Sequence, residues 1–131
     1  MKRVDVMSFE FDNNIPIYIQ LVEQLKIHII SGSLKSGERL PSVRDLALRN
    51  KVNPNTMQKA LVELEELVLI YTERTNGKFV TDNKKLIEKI KREYAFDIAK
   101  KYFNSMREIG IDRNEAIKYL ENIGDDKQWN Y

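Results

Sequence analysis

A mostly α chain with one small β-hairpin is the fold class that the sequence predicts, and three observations predict it. Apolar residues recur at three- and four-residue spacing in five segments. Two of those segments are separated by only a few residues. An Asn-Gly pair lies between two short β-prone runs, the strongest short-range signal for a hairpin.

Taken in order, Pro16 follows Asn13-Asn14 and stands where a first helical turn tolerates proline. From there Ile17, Leu21, Leu25 and Ile29 recur every four residues, with Tyr18, Val22 and Ile30 widening the stripe into one amphipathic helix. Ser31-Gly32-Ser33 stops it, and Lys35-Ser36-Gly37-Glu38 reads as a turn. Ser42-Val43-Arg44-Asp45 is a capping pattern ahead of Leu46-Ala47-Leu48, so a short second helix begins at Ser42 and ends near Arg49-Asn50. After Val52, Asn53 can cap and Pro54 can take the first helical position. Met57, Ala60, Leu61, Leu64 and Leu67 mark one buried face of a third helix. Two helices joined so closely match a helix-turn-helix. Leu69-Ile70-Tyr71-Thr72 and Lys78-Phe79-Val80-Thr81 then flank Arg74-Thr75-Asn76-Gly77 as a hairpin. Helix, helix-turn-helix, hairpin is the order of a winged helix.

Beyond Asp82 a long helix is predicted from about Asn83 to about Glu108. Its broad stripe is Leu86, Ile87, Ile90, Tyr94, Ala95, Ile98, Ala99, Tyr102, Phe103 and Met106. Gly110 breaks it, and Asp112-Arg113-Asn114-Glu115 caps a last helix carrying Ala116, Ile117, Leu120 and Ile123 before Gly124. The final Asp-Asp-Lys-Gln-Trp-Asn-Tyr is polar and expected to be loose. The expected organisation is a winged helix-turn-helix domain over 1–82 and a short two-helix segment over 83–131.

Composition narrows the function by exclusion. With 42% hydrophobic and 32% charged residues the chain has a globular balance. No apolar run approaches the roughly 20 residues needed to span a bilayer, and the N-terminus lacks the apolar core of a secretion signal, so a cytoplasmic protein is expected. The absence of cysteine removes disulfides, thiolate metal sites and cysteine nucleophiles. A single histidine, His28, leaves no His-rich metal cluster, and beside Leu25 and Ile29 it reads as a packed or boundary side chain. The acids fall at helix caps and on solvated faces, and no phosphate-cradling glycine loop or nucleophile elbow is present. Neither an enzyme nor a cofactor is expected. Net charge is only +2, and residues 1–80 carry 11 Lys/Arg against 10 Asp/Glu, so nucleic-acid binding must be argued from placement of charge, not its sum.

The residues also resemble a known family. Pro16-Ile17-Tyr18-x-Gln20, Ser31-Gly32-x-Leu34, Gly37-x-Arg39-Leu40-Pro41-Ser42-x-Arg44-x-Leu46-Ala47, Val52-Asn53-Pro54-Asn55-Thr56, Ala60-Leu61-x-x-Leu64-Glu65 and Asn76-Gly77-Lys78-Phe79-Val80 occur in the order found in GntR-type bacterial transcriptional regulators. The likeness covers residues 16 to 80 almost without a gap. Asn-Pro-Asn-Thr and the short two-helix C-terminal part resemble the YtrA-type subfamily. The resemblance implies a homodimer on a palindromic operator, commonly repressing an operon with its own gene and often an ABC transporter. There are departures. The family's usual glycine after the third helix is Val68, and the wing's usual G-x-G-T-F-V reads Thr75-Asn76-Gly77-Lys78-Phe79-Val80. Arginines common in relatives are replaced by Pro54 and Gln58, so a shallow salt dependence is expected for one domain alone.

In a helix-turn-helix the N-terminal turn of the second helix reaches base edges. With Met57 on the buried stripe, Asn55, Thr56, Gln58 and Lys59 are left to face the groove. Asn and Gln can pair with adenine, and Thr can pack on a thymine methyl. Asn53 and Thr56 have a simpler alternative role as caps. Arg44 matches an arginine that relatives use on DNA; its alternative is a surface pair with Asp45 or Glu38. Ser42 can offer its hydroxyl or an N–H to a phosphate. Arg74, Gly77 and Lys78 form the wing tip, with the cations following the minor groove or its phosphates, or simply solvating a hairpin.

The long helix carries more apolar surface than one short helix covers, and its aromatics, Phe96 included, suit a dimer interface formed by Ile90, Tyr94, Ile98, Tyr102, Phe103 and Met106. The alternative is packing on the last helix and the winged domain. Two helices leave little room for an enclosed ligand pocket, so whether a small-molecule effector exists is left open. A winged helix that binds protein instead of DNA is the competing reading.

Overall fold

The computed structural model describes residues 10–125. Among them it has five helices, α1 (Ile17–Ile30), α2 (Val43–Asn50), α3 (Pro54–Glu66), α4 (Lys84–Glu108) and α5 (Arg113–Asp125), and one antiparallel hairpin, β1 (Ile70–Glu73) with β2 (Gly77–Val80). The mostly α fold with a small hairpin wing is the observed one, in the expected order. The polar tail beyond Asp125 and the N-terminal stretch before Glu10 lie outside the described residues. The chain divides into two compact units, one running to Lys91 and the other beginning at Arg92, so α4 contributes to both.

In the first unit α1 packs on α3, and α2 closes the third side. Leu21, Leu25 and Ile29 of α1 meet Leu46 and Ala47 of α2, Met57, Ala60, Leu61 and Leu64 of α3, and Leu69, Ile70 and Val80 of the hairpin in one buried cluster. Ile17, the expected first member of the α1 stripe, and Leu67, the expected last member of the α3 stripe, are both exposed. Each lies at the end of its helix, past the reach of the packed partner. Pro16 precedes α1 as its N-cap instead of occupying the first turn. Gln20 secures that entry: its Nε2 donates to the carbonyls of Asp12 and Ile15, and its Oε1 accepts from the Asp12 N–H at 2.7 Å.

The α2–α3 turn is held by Lys51 in the left-handed region (φ 54°), with the Val52 N–H reaching the Ala47 carbonyl at 3.0 Å. After α3, Val68 is also left-handed (φ 62°). The Leu69 N–H bonds the Leu64 carbonyl and the Val68 N–H that of Glu65, the paired bonds of a Schellman terminus. The family's glycine is gone, but the conformation that glycine serves is retained.

The hairpin pairs Ile70 with Val80, Tyr71 with Phe79, Thr72 with Lys78 and Glu73 with Gly77. Its loop is therefore Arg74-Thr75-Asn76. None of these three has positive φ, whereas Gly77 does (φ 97°), so this is not the two-residue Asn-Gly turn that requires φ > 0 at both centres. A third rung comes from residues 38–40. Arg39 bridges Phe79, the Val80 N–H donates to the Glu38 carbonyl and the Leu40 N–H to that of Lys78, both at 2.8 Å.

In the second unit Gly110 (φ 84°) ends α4, as expected. Asp112 caps α5 through an Oδ1 that accepts from the Glu115 N–H at 2.9 Å. The helix runs on past Gly124 to Asp125. The Tyr102 hydroxyl donates to the carbonyl of Ala116, a fully buried residue of α5.

Candidate nucleic-acid interface

Two helix starts carry the candidate groups. At α2, Ser42 Oγ accepts from the Asp45 N–H at 3.1 Å, so its oxygen caps the helix while its O–H stays available to an external acceptor. Arg44, in the first turn, is exposed, and among the described residues no carboxylate pairs with it; the alternative pairing with Asp45 or Glu38 does not occur. At α3, Asn53 Oδ1 accepts from the Asn55 N–H at 2.7 Å and Pro54 holds the first turn. Asn53 is a cap, with its amide NH2 still outward-capable. Met57, fully buried, pins the rotation of α3. Asn55, Gln58 and Lys59 are then exposed and Thr56 half-buried, a polar row on the face opposite Ala60, Leu61 and Leu64.

The two starts share one surface. Arg44, Ala47, Leu48, Lys51, Val52 and Pro54 line an open hollow of about 410 Å³ between them. Leu48, 71% exposed, lies in it with cations on either side. Lys59 departs from the simple groove-facing picture: its ammonium stands 3.8 Å from the centre of the Tyr18 ring, a cation–π contact back to α1.

The wing differs more. Lys78 shares its sheet face with Val80 and Leu40, the inward face, because strand side chains alternate. Its ammonium, on a side chain only 15% exposed, lies 2.5 Å from Glu65 Oε1 on α3 and 2.9 Å from Thr72 Oγ1, while Thr72 also donates to Glu65 at 2.8 Å. The Lys78 hydrogen bond holds the Glu65 carboxyl below its ordinary value, with burial working against it. The lysine expected at the DNA is thus neutralised inside the protein. Arg74 remains exposed at the tip. Gly77 suits this position in two ways. Its φ is positive, and a Cβ there would lie 3.3 Å from Arg39 Nε. Arg39 and Glu65 stand in the sequence only as motif positions with no role attached; strict alternation from Val80 would have turned Lys78 inward and left the outer face to other groups.

His28 is half-buried on α1, and burial lowers its pKa. Among the described residues no group of three His, Asp or Glu side chains could hold a metal, and no helix is long and apolar enough to cross a membrane.

Of the expected C-terminal interface residues, Ile90 packs against the core of the first unit. Tyr102 and Phe103 make an edge contact with ring centres 5.4 Å apart, and the Arg113 guanidinium lies 6.0 Å from the Phe103 ring. Tyr94 and Met106 are half-buried, and Ile98 is 57% exposed. Phe96, Tyr119, Leu120 and Ile123 add to the exposed apolar surface of α4 and α5.

Comparison with known proteins agrees with this architecture. Residues 17–80 match the family described as bacterial regulatory proteins, gntR family. The chain is 30% identical over 115 residues to the HTH-type transcriptional regulator YhcF of Bacillus subtilis, covering 88% of this chain and 95% of that one. It is 44% identical over 70 residues to the transcriptional repressor YtrA of the same organism, 53% of this chain and 54% of that one. Among solved structures, a GntR family transcriptional regulator from Listeria monocytogenes superposes with a TM-score of 0.81 at 37% identity, covering 86% of this chain and 98% of its own. These relatives are regulators, not enzymes. The chain belongs to the GntR family of bacterial transcriptional regulators, and its winged helix-turn-helix is the family's DNA-binding domain.

Proposed function

We propose that this protein is a repressor that binds a palindromic operator as a homodimer. The polar row at the start of α3 carries the reading. Asn55, Thr56 and Gln58 offer hydrogen-bonding groups and a methyl on an exposed helix start, directly beside an unpaired Arg44. Asn55 and Gln58 read base edges, Thr56 packs on a thymine methyl, and Arg44 and Ser42 bind flanking phosphates. Asn53 caps and orients, and Arg74 at the wing tip reaches the backbone. Lys59 leans on Tyr18 and adds positive potential more than a directed contact.

Two-fold symmetry comes from the C-terminal helices, where Ile98 and Phe96 on α4 and Leu120 and Ile123 on α5 leave apolar surface exposed. Repression is supported by the likeness to a protein named a repressor. The family resemblance extends the target to the protein's own operon, with an ABC transporter in it.

Fluorescence anisotropy with DNA from upstream of its own gene tests this, under excess nonspecific competitor. Competitor-resistant binding by the wild type, lost in Arg44→Ala, with sedimentation giving a dimer at tens of micromolar, is the expected result. Equal and weak binding by both proteins would favour a protein-binding role for the wing and helices. A monomer with and without DNA would remove the dimer.

A further inference from the structure

The wing has two faces, and besides Arg74 at its tip the charge available to a ligand lies on the outer one. On the inner face Leu40, Ile70 and Val80 are buried, and Lys78 and Thr72, directly opposite each other, close on Glu65 of α3. This triad ties the hairpin to the helix that carries the polar row. On the outer face Tyr71 and Phe79 stack with ring centres 5.6 Å apart, and Arg39 lies opposite Phe79 through the bridge. The Arg39 guanidinium runs diagonally toward the wing tip over Gly77, with Nε 3.3 Å and Nη2 3.5 Å from where a Cβ would be.

No carboxylate among the described residues pairs with that guanidinium. The nearby acids are otherwise engaged. Glu73 accepts from Asn76 Nδ2 at 3.1 Å, and Glu38 Oε1 accepts from the Lys35 N–H at 2.8 Å. Arg39 is therefore an unpaired positive charge, exposed, laid along a braced hairpin and three residues before Ser42, the N-cap of α2, with Arg44 just beyond. A planar guanidinium matches a phosphate bidentately, whereas an ammonium already bonded to a carboxylate has little left to offer.

We propose that Arg39, seated on Gly77, adds to Arg74 a second contact between the wing and a DNA backbone phosphate, and that Lys78 is a positioning residue that fixes the wing on α3 through Glu65 and Thr72. This rests on the DNA-binding reading above. Gly77 serves it by leaving the space in which the guanidinium lies.

The test is a salt titration of operator binding by wild type, Arg39→Gln, Arg39→Lys, Gly77→Ala and the double variant Glu65→Gln/Lys78→Met, which leaves no charge unpaired. Each phosphate neutralised contributes about 0.9 to the slope of log K against log salt. Arg39→Gln is expected to lower that slope by about 0.9 for each wing engaged, and Arg39→Lys to restore most of it. The double variant is expected to keep the slope while its affinity falls uniformly. Gly77→Ala keeps the charge but displaces it, so binding weakens even if Arg39→Gln should fold poorly. A slope unchanged in Arg39→Gln but reduced in the double variant would overturn the assignment. Arg44→Ala, run alongside, separates the two levels. If it abolishes binding while Arg39→Gln behaves as wild type, only this inference fails. If the wild type itself shows no competitor-resistant binding, the DNA reading fails with it.

Discussion

Replacing Val68 by glycine should stabilise the DNA-binding unit, against the usual expectation for a glycine substitution. Val68 occupies the left-handed position after α3 at φ 62°, where a Cβ crowds the following carbonyl. That conformation costs an L-residue roughly 1–2 kcal/mol, with a β-branched side chain at the upper end. Two losses oppose the relief. Glycine gives the unfolded chain extra freedom worth about 0.4–1 kcal/mol. The valine side chain is 60% exposed, so the burial forfeited is the smaller part of a full valine's, on the order of 0.6 kcal/mol. Taking about 2 for the strain and about 0.7 and 0.6 for the losses leaves a net gain near 0.7 kcal/mol. In a unit of this size that raises Tm by about 3–5 °C.

Thermal unfolding followed by far-UV circular dichroism measures it, with Leu67→Gly as control. Leu67, one residue earlier, has an ordinary right-handed cap conformation (φ −77°), so glycine there relieves nothing and loses leucine contacts. The two neighbours should shift in opposite directions. A Val68→Gly protein that melts at or below the wild type, or two variants that fall together, would refute the strain argument. A gain would show that strain is carried at the hinge between the third helix and the wing.

Two further outcomes follow from the geometry. Lys78 holds the Glu65 carboxyl below its usual 4.5 in the folded state, so its stabilisation is present above that pH and is lost as pH falls through the lower folded value; Glu65→Gln should be less stable than wild type near neutrality, with the gap closing in acid, and a gap independent of pH would contradict the pairing. Tyr102→Phe removes the 2.8 Å bond to the Ala116 carbonyl and should cost about 0.5–1.5 kcal/mol, with faster amide exchange confined to the unit beginning at Arg92; exchange that changes equally throughout the chain would refute that local role.

Much of this protein was determined by short-range sequence. The Ser42 and Asn53 caps, the buried stripe of α1 from Leu21, the rotation of α3 set by Met57, and the Gly110 break all depend on residues within a turn or two of one another, so spacing alone specifies them. The polar row at the start of α3 follows, because burying Met57, Ala60 and Leu61 forces Asn55 and Gln58 outward. What spacing could not supply were partners distant in the chain. The hairpin gained a third rung from residues 38–40, and its loop closed a residue earlier than an Asn-Gly turn would. Lys78 found Glu65 thirteen residues away, Lys59 found Tyr18 on another helix, and Arg39 came to rest over Gly77. Sequence determined which charges the wing and helices would carry. Tertiary structure decided which were spent inside the protein and which stayed exposed, because pairing between charges depends on distances that only the packed fold sets.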